Sequence, residues 1–202
     1  MLAWNGLVVF VPWFADNVGV FDPERNEFMY VGISATISID YKYSGGVLAS
    51  NGYIYFVPDK ANNVGVFDPV SWNFWVIDIS GIISTGNKYG CGVLAPNGNI
   101  YFVPSGSNNV GVFDPTTDAF SVVDISAIIE TSSMYCGGVL APNGKIYFVP
   151  ASAYNVGVFD PATHAFSLVT ITATTSRYHP CTHLFGSLFV DRSWMKVNQG
   201  PN

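Results

Sequence analysis

The sequence predicts an all-β fold made of tandem repeats, and two observations lead to this class. A block of 46 residues recurs along the chain, with the motif NVGVFDP starting at Asn17, Asn63, Asn109 and Asn155. Within each block, short runs rich in Val, Ile, Phe and Tyr alternate with turn residues, as in antiparallel sheets. Helical periodicity over more than a turn or two is absent from the sequence. Four short strands in a block of this length, repeated in tandem, are typical of a β-propeller blade.

A second motif, GVLAxNGxIYFVP, has the same period and begins at Gly46, Gly92 and Gly138. Residues 1–12, MLAWNGLVVFVP, align with this motif one residue short of its start. These repeats predict one propeller domain with four blades. We place the domain at residues 1–190, with blades at approximately 1–40, 41–86, 87–132 and 133–176, a candidate closing strand at 182–190, and an irregular tail at 191–202.

The unit that begins at Gly92 predicts four strands and the turns between them. The strands are GVLA at 92–95, IYFV at 100–103, VGVF at 110–113 and AFSVVDI at 119–125. Asn97 and Gly98 predict a two-residue hairpin, because both residue types tolerate a positive φ. Asp114 and Pro115 predict a second turn, in which the aspartate side chain bonds the backbone that follows.

The repeats leave two ways to complete the propeller. In one, residues 182–190 (THLFGSLFV) pair with the first blade and close a small four-bladed ring. In the other, the chain is part of a larger propeller of five to eight blades. An unclosed arc would expose apolar sheet edges, and such edges favour pairing with another chain.

Composition excludes several classes of function. Fourteen acidic residues against eight basic ones give a net charge of −6, which argues against nucleic acid as a partner. No apolar run reaches the length of a membrane-spanning helix, and the N-terminus lacks the pattern of a secretory signal, so an intracellular location is the default expectation. The sequence predicts no cofactor and no metal site. The cluster HPCTH at 179–183 contains metal-ligating residue types, but it stands alone and is interrupted by a proline.

The repeat resembles the blades of the virginiamycin B lyase-like, YVTN and kelch propellers. The residues that carry the resemblance are PNGKIYF at 142–148 and NVGVFDPAT at 155–163. The resemblance covers residues 1 to about 172, and it implies a propeller fold. It also implies, for the lyase-like enzymes, a histidine general base and a magnesium-bound acid on the channel face. No such pair maps residue by residue onto this sequence.

The candidate binding residues lie in loops that a propeller brings to one face, around the mouth of its channel. Trp13, Lys60 and Tyr154 belong to the variable loops between second and third strands, and loop variation on a constant scaffold favours a binding site there. Three tyrosines precede the innermost strands, where a phenol is placed either to contact a ligand or to pack between blades. These are Tyr43, Tyr89 and Tyr135.

Three functions remain open at this point. The first is a non-catalytic propeller that binds a protein or a glycan through the loop face. The second is a lyase- or hydrolase-type enzyme with a divalent metal at the channel mouth. The third is an incomplete paralogue without activity, for which an unclosed ring would favour self-association. The recurring Asp22, Asp68, Asp114 and Asp160 are assigned to turns rather than to a cation site.

Overall fold

The computed structural model describes residues 1–129 and 134–171, and these residues form four antiparallel sheets. In each sheet the strands pair in chain order, and we call the sheets blades 1 to 4. The described residues contain no helix that could cross a membrane. The strands are β1 (Val8–Phe10), β2 (Asn17–Asp22) and β3 (Glu27–Gly32) in blade 1; β4 (Tyr43–Leu48), β5 (Ile54–Pro58), β6 (Asn63–Phe67) and β7 (Phe74–Asp78) in blade 2; β8 (Tyr89–Leu94), β9 (Ile100–Pro104), β10 (Asn109–Asp114) and β11 (Ala119–Asp124) in blade 3; and β12 (Tyr135–Leu140), β13 (Ile146–Pro150), β14 (Asn155–Phe159) and β15 (Phe166–Thr170) in blade 4.

The all-β class and the four-stranded repeat are therefore confirmed. Blade 1 has three strands, and a single bridge between Leu2 and Val8 stands in place of its innermost strand. The candidate closing strand at 182–190, the HPCTH cluster and the irregular tail lie outside the described residues.

Two details of the unit differ from the sequence prediction. The innermost strands begin at the tyrosines rather than after them, because Tyr89 pairs with Pro104 before a bulge shifts the register at Cys91. The Asn-Gly hairpin is a three-residue loop, closed by the bond from the Ala95 N–H to the Asn99 carbonyl, and glycine is its residue with a positive φ. A type I turn followed by a left-handed glycine has this geometry.

Blades pack face to face through apolar clusters, one for each pair of neighbours in the chain. One side of each interface carries mainly valines, such as Val57 and Val64 of blade 2. The other side carries aromatic rings, such as Tyr89 and Phe102 of blade 3. The second strand of an interior blade is buried along its whole length, because neighbouring blades cover both of its faces.

Candidate functional site

The loop face of this protein is built from two sets of segments at one end of the blades. One set joins the second strand of a blade to the third, and the other set connects successive blades. The Lys42 N–H donates to the Trp13 carbonyl at 3.0 Å, and the Asp59 N–H donates to the Lys42 carbonyl at 3.0 Å. The two sets therefore meet on one side of the sheets, as the sequence predicts for a propeller.

The same backbone bonds continue from blade to blade. The Lys88 N–H donates to the carbonyl of Asp59, and the Ser105 N–H donates to the carbonyl of Lys88. Met134 repeats the pattern between Ser105 and Ala151. The loops form a hydrogen-bonded belt along all four blades, which holds their side chains in fixed relative positions.

Two lysines of this belt are buried. The Lys42 ammonium lies 2.9 Å from a carboxylate oxygen of Asp16 and donates to the Phe14 carbonyl. Lys88, one repeat later, donates to three backbone carbonyls, including that of Ala61 at 3.0 Å. Burial lowers the pKa of Lys88 to about 8, with the charge of Asp59 opposing the shift. Both ammonium groups donate hydrogen bonds to backbone carbonyls of the preceding loop, so we assign the two lysines a structural role.

An exposed aromatic cluster, formed by Trp13, Phe14 and Tyr41, lies on the belt at the junction of blades 1 and 2. The ring centroids of Phe14 and Tyr41 are 4.5 Å apart, and that of Trp13 lies 5.3 Å from Phe14 and 5.4 Å from Tyr41. The Trp13 and Phe14 side chains are each about half exposed. The rings meet at tilted and edge-on angles, which are favourable for aromatic pairs.

Charged groups surround the aromatic cluster. The Lys60 ammonium lies 4.1 Å from the Tyr41 ring centroid, within the range of a cation–π contact. The Trp13 side chain lies beside the Asp59 carboxylate and acts to lower its pKa. In the same loop as Trp13 and Phe14, Asp16 accepts from the Ser38 hydroxyl at 3.1 Å as well as from Lys42. The site thus combines an apolar platform with one cation and two carboxylates.

The two carboxylates differ in their electrostatic state. Hydrogen bonds from Lys42 and Ser38 lower the pKa of Asp16, which is exposed. Burial raises the pKa of Asp59, and the neighbouring Trp13 side chain partly offsets this shift. Asp16 is therefore a fixed anion at neutral pH, and Asp59 is the carboxylate held less favourably in its charged form.

The structure removes the three tyrosines from the predicted ligand face. Tyr43, Tyr89 and Tyr135 are buried, and each hydroxyl donates to the asparagine that begins the third strand of the same blade. A Cβ at Gly65 would come within 2.8 Å of the Tyr43 ring, so the glycine of the VGV motif provides space for this ring. The tyrosines pack between neighbouring blades, which is one of the two placements that the sequence left open, and a ligand at the surface does not reach them.

The other three predicted residues are exposed on the loop face. Trp13 and Lys60 come together around Tyr41. Tyr154 is 76% exposed in the loop of blade 4, separated from blade 1 by two blades along the chain. Sequence reasoning missed Phe14 and Tyr41 as members of the site. The sequence does carry a sign of both residues, because the next repeat unit has the non-aromatic residues Lys60 and Asn87 at the equivalent positions.

The recurring aspartates occupy turns, as predicted. Asp68 accepts from the Val70 N–H at 2.8 Å, and Asp114 accepts from the Thr116 N–H at 2.8 Å. Asp22 and Asp160 make the corresponding bonds. Within the described ranges, no group of three or more histidine, cysteine, aspartate or glutamate side chains converges as a metal site would require.

The fold is that of β-propeller blades, and comparison with solved structures agrees. A catalytically inactive variant of virginiamycin B lyase from Staphylococcus aureus, solved with quinupristin, superimposes with a TM-score of 0.72 at 15% identity. The match covers 88% of this chain and 56% of the lyase chain. The chain thus spans little more than half the length of that protein, and likeness at this identity establishes the fold alone.

Other propellers of different roles match as well. The extracellular domain assigned to a one-component system of Bacteroides thetaiotaomicron gives a TM-score of 0.65 at 9% identity, covering 86% of this chain and 24% of that one. Hydrazine synthase of Kuenenia stuttgartiensis gives 0.60 at 14% identity, covering 84% and 48%. No protein-family profile and no curated protein sequence matches the chain.

Proposed function

We propose that this protein is a non-catalytic binding module that engages a protein or a glycan through its loop face. The observation that carries the proposal is the exposed aromatic cluster of Trp13, Phe14 and Tyr41, bordered by Lys60, Asp16 and Asp59. Exposed aromatic rings give large contact areas at a small cost in conformational entropy. Polar groups at their border supply the orientation that a specific ligand requires.

The positions of the cluster support a binding role. Trp13 and Phe14 correspond in the repeat to Ser105 and Gly106 of blade 3, which carry no apolar side chain. The scaffold strands are nearly the same in all blades, so folding does not require aromatic residues at these two loop positions. Exposed aromatic residues at one blade junction are expected where the surface serves recognition.

The backbone of Tyr41 supports the same conclusion. Its φ is 59°, in the left-handed region that a bulky side chain rarely adopts. The equivalent residue of the next blade is Asn87, with a φ of 52°, and asparagine tolerates this conformation. A tyrosine here costs on the order of 1 kcal/mol of strain, and such strain is commonly found at functional sites.

The fold is compatible with both a binding module and an enzyme. The similar propellers include a lyase, an extracellular domain and a synthase. Since one fold hosts many activities, the choice has to rest on the site. The enzymatic alternative rests on the fold likeness, whereas the aromatic cluster is a feature of this chain.

The test is a binding screen in two arms, a glycan array and a display library of peptides and folded domains. A ligand found in either arm is titrated against wild type, Trp13→Ala, Tyr41→Ala and the control Tyr154→Ala. Tyr154 is an exposed aromatic residue of the same face but lies outside the cluster. Each cluster variant is expected to weaken binding about thirtyfold, since an anchoring aromatic residue contributes about 2 kcal/mol.

Two results contradict the proposal. If both cluster variants bind as tightly as wild type while Tyr154→Ala does not, the assigned site is wrong. If mass spectrometry shows that the bound ligand is chemically altered over time, the module is an enzyme.

A further inference from the structure

Each interior interface joins two different blade faces. We call the valine-rich side of a blade its trailing face and the aromatic side its leading face, as in blades 2 and 3. The trailing face of one blade always packs on the leading face of the next blade along the chain. Among the residues that the structure describes, four blades joined in this way leave one leading face uncovered, on blade 1, and one trailing face, on blade 4.

Among the described residues, the leading face of blade 1 is open to solvent. Phe10 is 50% exposed, although its repeat equivalents Phe56, Phe102 and Phe148 are fully buried. Phe28 is 61% exposed and packs on Phe10 at 5.7 Å between centroids. These two rings occupy the positions that the preceding blade covers elsewhere in the chain.

The trailing face of blade 4 is open in the same way. Val139 is 52% exposed, whereas its equivalent Val93 is 9% exposed. Val149 is 36% exposed, whereas Val103 is fully buried. The face forms an apolar groove of about 340 Å³, whose lining includes Val139, Val149, Val156 and Ile171.

In the described part of the chain, the hydrogen bonds that link neighbouring blades have no counterpart at the two ends of the arc. The Tyr101 hydroxyl donates to the Pro161 carbonyl of the next blade at 3.2 Å, and the Tyr55 hydroxyl donates to the Pro115 carbonyl at 3.3 Å. Tyr147 is the equivalent tyrosine of blade 4, where its hydroxyl accepts from Asn143. Pro23 is the equivalent proline of blade 1, and it is exposed while Pro69 and Pro161 are buried.

We propose that a second copy of this chain docks head to tail, with the trailing face of blade 4 packed on the leading face of blade 1 of its partner. The exposed faces are the two sides of a contact that already occurs three times within the chain. The contact between copies is therefore continuous with an established interface. The Tyr147 hydroxyl donates to the Pro23 carbonyl of the second copy, as Tyr101 does to Pro161 within the chain.

A second copy fits better than an occupant that covers a single face. One docking event buries a trailing face and a leading face together, because the two are complementary. Two copies that dock twice form a closed ring that contains the four described blades of each, and copies that dock once form open chains. Apolar surface of this kind on a folded protein typically marks an interaction site. This inference does not depend on the proposed ligand site.

The experiment measures the mass of the full chain in solution by light scattering and sedimentation velocity, at concentrations on the order of 100 µM. Three variants are compared with wild type: Phe10→Lys on the leading face, Val139→Lys on the trailing face and the control Val70→Lys. Val70 is 62% exposed in the turn between β6 and β7 of an interior blade. A lysine ammonium buried in an apolar contact is expected to weaken association at least tenfold.

The expected result is that wild type and Val70→Lys form dimers or longer chains, while Phe10→Lys and Val139→Lys are monomers. Mixing the two monomeric variants then forms a heterodimer, because each retains one intact face. An interface between like faces would behave differently, since one of the two variants would still assemble by itself.

Several outcomes overturn the inference. They include a monomeric wild type, assembly of either face variant by itself, and the absence of a heterodimer in the mixture. A monomeric wild type in which Val139→Lys fails to fold would show that another part of the same chain covers blade 4. If wild type is monomeric and Val139→Lys folds with unchanged stability, the trailing face of blade 4 would be assigned to a different partner.

Discussion

Phe10 and Phe102 occupy the same position of the repeat, yet one is half exposed and the other is fully buried. Phe10 lies in β1 and Phe102 in the equivalent strand β9, and each pairs with the glycine of the VGV sequence in the strand that follows. Phe102 is covered by the valines of blade 2, whereas blade 1 has no preceding blade among the described residues. The difference shows that the core of this protein lies between blades, so a blade is stabilised mainly by its neighbours.

The largest expected effect follows directly from this comparison. Phe102→Ala removes a ring from the interface between blades 2 and 3 and is expected to lower the free energy of unfolding by about 3–5 kcal/mol. Phe10→Ala removes a ring that solvent already reaches and is expected to cost less than about 1 kcal/mol. Urea denaturation of both variants, at a protein concentration low enough to keep the chain monomeric, measures the difference. Equal losses would show that the two environments are the same in solution.

A second prediction concerns Lys88, which is buried in the belt between blades 2 and 3. Its pKa of about 8 lies below the value of about 10.4 for an unfolded lysine, so the unfolded chain binds more protons between these two values. The stability of the folded protein is therefore expected to rise with pH from about 8 to 10, by at most ~1.4 kcal/mol per pH unit.

The matched variant is Lys88→Met, because methionine stands at the equivalent position 134 of blade 4. This variant is expected to lose the rise in stability, as measured by urea midpoints at a series of pH values. Burial raises the pKa of Tyr43, Tyr89 and Tyr135, so stability is expected to fall above about pH 10 in both proteins. An unchanged rise in Lys88→Met would assign the pH dependence to another group.

The smallest effect compares a hydrogen bond between neighbouring blades with its equivalent at the end of the arc. Tyr101→Phe removes the bond to the Pro161 carbonyl and is expected to cost about 1 kcal/mol. Tyr147→Phe removes a hydroxyl that accepts from Asn143 of the same hairpin, and it is expected to stay within about 0.5 kcal/mol of wild type. Thermal denaturation of the two variants under identical conditions gives the comparison. A larger loss for Tyr147→Phe would mean that its hydroxyl already has an acceptor on a neighbouring blade or chain.

The aromatic cluster shows where prediction from sequence was limited. Repeat comparison identified Trp13 and Lys60 as variable loop residues, and both belong to the site. It did not identify Tyr41, because the blade connection and the loop of the preceding blade come together only in the folded protein, through contacts across the junction. For Tyr43, Tyr89 and Tyr135 it left ligand contact and packing between blades both open, since a sequence does not show that Gly65 and Gly111, two strands away, make room for the rings of Tyr43 and Tyr89.

The sequence by itself determined the period, the strands of each blade and the Asp-Pro turns, because these depend on alternating apolar residues and on local backbone chemistry. Only the tertiary structure decided which of four equivalent phenylalanines is exposed and which loop residues meet at a blade junction. Those properties depend on what packs against each face, and identical repeat sequences acquire different surroundings according to their place in the arc.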